Sequence, residues 1–138
     1  MFRALSSAFI LTLLLACEVD TRVNIDGKNP PSFRFSGSGG ITLFRIVEDP
    51  APGLQFLDAT VLWELKPTSE LSVVRMADLP TITYGTVPPG FVQTKPEAGS
   101  PPALEDEKTY DAWAPSHNAN GGGQWFRVRG NTTLPVDK

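Results

Sequence analysis

The chain holds 138 residues, with 12 Lys plus Arg against 15 Asp plus Glu, one His, one Cys, 12 Gly and 13 Pro. The balance is mildly acidic and the basic residues are scattered, Arg127 and Arg129 being the closest pair, so neither a nucleic-acid footprint nor a polybasic membrane patch is present. One cysteine excludes an intrachain disulfide framework and a thiolate zinc site.

The first segment is the most telling. Arg3 precedes an uncharged apolar stretch, Ala8 to Ala16, too short to cross a bilayer of about 30 Å as a helix. A charged start, a short apolar core and a small residue before a cut site make up a secretory signal. Leu14-Leu15-Ala16-Cys17 resembles the lipobox of bacterial lipoproteins. That resemblance implies export, removal of residues 1–16, and a diacylglyceryl group on the Cys17 sulfur of a mature chain that begins there. Each buried acyl CH₂ contributes about 0.8 kcal/mol, so two or three chains anchor in effect permanently. Without residues 1–16 the chain keeps 11 basic against 15 acidic residues. Glu18, not Asp, follows the cysteine, which favours the outer over the inner membrane of the envelope.

Residues 17–31 read as the lipidated cysteine and a polar tether ending in Pro30-Pro31, with room for an edge strand at Arg22–Ile25. Extended, such a tether reaches about 45–50 Å. From Ser32 the hydrophobic period is two: Phe33 and Phe35, then Ile41–Val47, Val61–Lys66, Ser72–Met76, Thr81–Tyr84, Thr109–Trp113 and Gln124–Arg129. The best helical window, Glu70–Leu79, is interrupted and stops at Pro80. With Gly and Pro grouped between the runs, the pattern predicts one all-β domain over 32–130. That domain is an antiparallel, immunoglobulin-like sandwich of about seven strands, followed by a tail at 131–138.

Leu104 stands six residues before Tyr110, which opens an alternating strand. The spacing resembles the tyrosine corner of fibronectin type III domains, though the Pro of that pattern is missing and Glu105-Asp106-Glu107 replaces its turn. The resemblance implies an immunoglobulin-like fold and a Tyr110 hydroxyl bonded to upstream backbone near Leu104. It carries no function.

The residue types that carry chemistry are sparse. His117 is the only histidine, and Ser116 beside it points the opposite way in an extended chain. Glu105-Asp106-Glu107 lacks the spacing of a calcium loop. Asn120-Gly121-Gly122-Gly123 precedes a strand and lacks the Lys of a phosphate loop, so it reads as a hairpin turn. Ile82–Pro102, with its many prolines, reads as a long loop crossing between sheets, with contact surface as the alternative. No catalytic residue, metal site or cofactor is expected. The reading is a non-enzymatic envelope protein that binds or braces another envelope protein or a glycan. The alternative is a small envelope hydrolase or carbohydrate-active protein.

The last two runs invite a register. If Thr109–Trp113 and Gln124–Arg129 pair antiparallel, opposed residue numbers share one sum. A sum of 238 sets Tyr110 against Val128 and Ala112 against Phe126 on the core face. On the other face it sets Trp113 against Trp125, Asp111 against Arg127 and Thr109 against Arg129. Trp113 and Trp125 are then a candidate contact patch, or a pair that merely shields the sheet.

Overall fold

Alternation of period two becomes strands almost wherever it occurs. The computed structural model describes residues 19–50, 59–68 and 73–138, so the signal segment 1–16 and Cys17 lie outside the described residues. Among those described, the strands are β1 (Arg22–Ile25), β2 (Ser32–Ser36), β3 (Gly40–Ile41), β4 (Phe44–Glu48), β5 (Val61–Pro67) and β6 (Val74–Arg75). They continue with β7 (Ile82–Thr83), β8 (Phe91–Lys95), β9 (Thr109–Ala114), β10 (Ser116–His117), β11 (Gly122–Arg129) and β12 (Thr132–Val136). Among the described residues of the helical window, β6 is followed by a 3-10 turn, Met76–Asp78.

Every pairing is antiparallel. Six strands build the main sheet in the order β12-β11-β9-β4-β5-β8, while β1-β2-β7 and β10-β3-β6 are three-stranded. The β1-β2-β7 sheet lies over the inner face of the main one: Phe33 on β2 meets Phe44 on β4 at 5.2 Å and Phe126 on β11 at 5.9 Å between ring centroids. Trp63 fills the β5 side, edge-on to Tyr84, and its indole N–H donates to Gln93 Oε1 at 3.0 Å. Full burial of each such side chain contributes about 1.5–3 kcal/mol, so this layer of aromatics is the main source of stability. The fold is thus an all-β sandwich.

Three expectations need correction. Residues 17–31 are not a tether throughout, because β1 pairs with β2 and Val23 is buried in the core. Two apolar residues on one face, Val23 and Ile25, outweigh the polar majority around them. Residues 131–138 are not a tail: β12 pairs along β11, and Thr133 N–H donates to Gly27 O at 3.0 Å. The first and last strands are stitched together as well, by a bridge between Lys28 and Thr132. The loop expected over Ile82–Pro102 contains β8, a proline-free run that pairs with β5. The total therefore exceeds the expected seven strands, since two-residue strands are too short to show a period.

A candidate site on the outer face of the main sheet

The β9–β11 ladder has a register sum of 236, not 238. Trp125 lies opposite Asp111, Phe126 opposite Tyr110, Gly123 opposite Trp113 and Gly122 opposite Ala114. The pairs expected between Trp113 and Trp125, Asp111 and Arg127, Thr109 and Arg129, Tyr110 and Val128, and Ala112 and Phe126 do not form. A two-residue slip preserves every facing, so the core row is intact and both tryptophans remain on the outer face, diagonal to one another. The glycines decide the register. Gly122 and Gly123 belong to the strand and not to the turn, since a Cβ at 123 would come within 2.8 Å of Asp111 Oδ1 and 3.2 Å of Trp113 Cε3. A Cβ at 122 would strike Thr21 O at 2.1 Å. Only glycine lets the chain approach both so closely.

Asp111 is the unusual member of this face. Its cross-strand neighbours are Val47 on β4 and Trp125 on β11, and it is 4% exposed. Its Oδ1 has no hydrogen-bond partner among the described residues. Burial pushes the carboxyl up to about 6, against a smaller opposing pull from the Lys138 ammonium. Lys138 itself stands 4.3 Å above the Trp125 ring and pairs with Asp49. One strand away, Arg45 sits opposite both Trp113 and Glu64. Its Nη2 meets Glu64 Oε2 at 3.2 Å, while its Nε is buried and without a partner among the described residues. Glu64 is well held, since Thr94 Oγ1 donates to its Oε1 at 2.8 Å and Lys66 Nζ stands at 3.7 Å. The face thus brings together an indole, Trp113, with an unpartnered acceptor on Asp111 and an unpartnered donor on Arg45 at its flanks. Buried polar groups normally find partners, and these two have none among the described residues.

The remaining expected sites separate from this one. Tyr110 is 1% exposed, its hydroxyl accepts from the Glu105 N–H at 2.8 Å, and Leu104 is buried beside that turn. In the acidic turn the three carboxylates diverge: Glu105 joins Lys108, Asp106 accepts from the Gly130 N–H at 2.7 Å, and Glu107 pairs with Arg129. Glu48 also contacts Lys108 at 2.8 Å, and the Glu105 and Glu48 carboxylates together hold its ammonium protonated above the usual lysine range. Ser116 and His117 form β10; His117 is exposed and the Ser116 hydroxyl has no partner among the described residues. A cavity of about 400 Å³ lies elsewhere, lined by Asn29, Pro30, Tyr84, Pro101 and Leu104 among others, and the Tyr84 hydroxyl donates to Pro102 O at 2.7 Å beside it. Among the described residues no cluster of His, Cys, Asp or Glu could hold a metal ion, and no helix is long and apolar enough to cross a membrane.

Sequence reasoning missed Asp111, Arg45 and Gly123. One signal was present: Asp111 is the one charged residue in the otherwise uncharged run Thr109-Tyr110-Asp111-Ala112-Trp113-Ala114. Comparison of the chain with protein-family models, with curated proteins and with solved structures finds no match.

Proposed function

We propose that the chain is a lipid-anchored, non-enzymatic binding module of the bacterial cell envelope that takes a glycan on the outer face of its main sheet. The anchor reading rests on Leu14-Leu15-Ala16-Cys17, and Glu18 favours the outer membrane. The fold we read as immunoglobulin-like, supported by the Tyr110 hydroxyl bonded to backbone five residues upstream. The observation that carries the glycan is the pairing of Trp113 with two orphaned polar atoms, Asp111 Oδ1 and Arg45 Nε. A sugar presents a C–H face that stacks on an indole, and hydroxyls that both donate and accept.

Titration of the intrinsic tryptophan fluorescence with soluble peptidoglycan fragments and with neutral oligosaccharides tests the reading. Binding should disappear in Trp113→Ala while circular dichroism stays unchanged. Binding that survives the substitution, or no binding to either class, sinks it.

The raised carboxyl of Asp111 favours a second reading, a glycosidase with Asp111 as its acid. Hydrolysis of a chromogenic glycoside, lost in Asp111→Asn, would put that reading first.

A further inference from the structure

The fold begins almost at the anchor. Val19 N–H donates to Ser38 Oγ at 2.8 Å, and Ser38 N–H donates back to Val19 O at 2.9 Å. Thr21 N–H donates to Asn120 O at 3.1 Å, and Asn120 Nδ2 to Asp20 Oδ1 at 2.8 Å. Gly37 and Gly122 press against the backbone of Asp20 and Thr21 so closely that a Cβ at either would collide. From Val19 onward the chain is clamped, and only Glu18 separates it from Cys17. Two residue steps span at most about 7 Å, in place of the 45–50 Å that a free tether over 17–31 would reach.

We propose that the mature domain sits directly on the lipid surface that holds Cys17, with the end of the fold built from Gly37–Gly39 and His117–Asn120 turned toward the headgroups. The inference rests on the reading of Cys17 as the lipidated residue. Lipid is the occupant this end suits. Its side chains are small or uncharged for the most part, among them Ser38, Asn118, Ala119 and Asn120. Two of the exposed large apolar residues gather there too: Val19, 52% exposed, and Val73, 40% exposed beside Gly40. With no basic cluster at this end, the attachment is the acyl chains' work and not electrostatic. The opposite end is fixed in consequence. β11 leaves the membrane side at Gly122 and reaches Arg129 about 24 Å further out, at about 3.4 Å per step. The Glu105–Lys108 and Gly130–Asn131 turns therefore face away from the bilayer. The Trp113 and Gly123 site stands on the flank, nearer the membrane than the tip.

The test uses the full lipidated chain, in which Cys17 is consumed by lipid and a second cysteine can carry a fluorophore. His117→Cys reports the near end and Asn131→Cys the far end, both exposed positions. Each is placed in vesicles of phosphatidylethanolamine and phosphatidylglycerol containing a headgroup spin-labelled lipid. The near label should be strongly quenched and the far label not. Inserting twelve Gly/Ser residues between Glu18 and Val19 should bring the near label down to the level of the far one. Equal quenching of both labels without the insert overturns the seating. Intact-mass measurement of the same extracted protein keeps the two failures apart. A chain without acyl mass on Cys17 brings down the anchor reading and the seating with it. Acyl mass with equal quenching brings down the seating alone.

Discussion

The two faces of β9 differ in what they bury: the inner row is wholly enclosed, while the outer row ends in the half-buried Trp113. Toward the core, Tyr110, Ala112 and Ala114 are buried among Phe126, Val128 and the aromatics of β2, and the only polar atom there, the Tyr110 hydroxyl, has its partner. On the other side Asp111 is buried almost as deeply, at 4% against 1% for Tyr110, yet one carboxylate oxygen has no partner among the described residues. The inner face gains free energy by being covered, whereas the outer face loses it. A chain selected for stability alone would place a valine at 111, as it does at Val47 alongside. In the proposed glycan reading, the acid is kept for the ligand it meets.

The largest expected effect probes the inner face. Phe126→Ala removes a ring that touches Phe33 and Tyr110 and lies opposite Tyr110 in the ladder. Chemical denaturation should show a loss of about 3–5 kcal/mol. A loss under about 1 kcal/mol would mean that the two faces do not differ as described.

The outer face should answer to pH. The Asp111 carboxyl lies near 6 when folded, against an ordinary value near 3.8. The folded state therefore holds the proton more tightly than the unfolded one. Stability from this group is greatest below the unfolded value, falls as pH rises through the window from about 4 to about 6, and is level above it. The fall should be about 3 kcal/mol, since a difference of one in pKa corresponds to about 1.4 kcal/mol. Asp111→Asn should flatten that part of the profile. The quantity to compare is the parent-minus-variant difference between pH 4 and pH 7, and a difference of zero would return Asp111 to the status of an ordinary surface acid.

Tyr110→Phe leaves the ring in place and takes the acceptor from the Glu105 N–H. Glu105 is exposed, so water can replace the lost hydroxyl, and the cost should be about 1 kcal/mol. An unfolding midpoint that does not move would show that the corner is decorative.

What could be read in advance follows the same division. Facing is legible because period two assigns each residue to a side, and Trp63, Tyr110 and Phe126 all lie on the side their alternation indicates. Register is not, because Gly122 and Gly123 look identical as turn and as strand until Asp111 and Thr21 are seen pressing on them. β8 hides behind the prolines at 88, 89 and 96, whereas β1 forms at Arg22–Ile25, where the sequence left room for an edge strand. The burial of Asp111 was beyond reach for another reason. A strand's outer face is dry only if something distant in sequence covers it, and alternation carries no information about covers.

The smallest expected effect concerns charge. Arg45 and Glu64 form a pair in which the glutamate is nearly enclosed, while Arg129 and Glu107 form one at the exposed turn beyond β9, with both side chains more than half exposed. The two distances are the same, 3.2 Å, so distance alone predicts equal worth. Environment says otherwise. In water the Coulomb attraction of the Arg129 pair is screened and two long side chains lose freedom to make it, leaving about 0.2–0.5 kcal/mol. A double-mutant cycle with Glu107→Gln and Arg129→Gln isolates that coupling without disturbing the left-handed backbone at Glu107. It should fade in about 0.5 M salt, where charges are screened within several ångströms. The same cycle on Arg45→Gln and Glu64→Gln should give a coupling at least twice as large that salt barely changes, because Glu64 has few waters to exchange for its partners. Equal couplings with equal salt dependence would show that the outer face is no drier than the turn, and that the unpartnered oxygen of Asp111 is in contact with solvent after all.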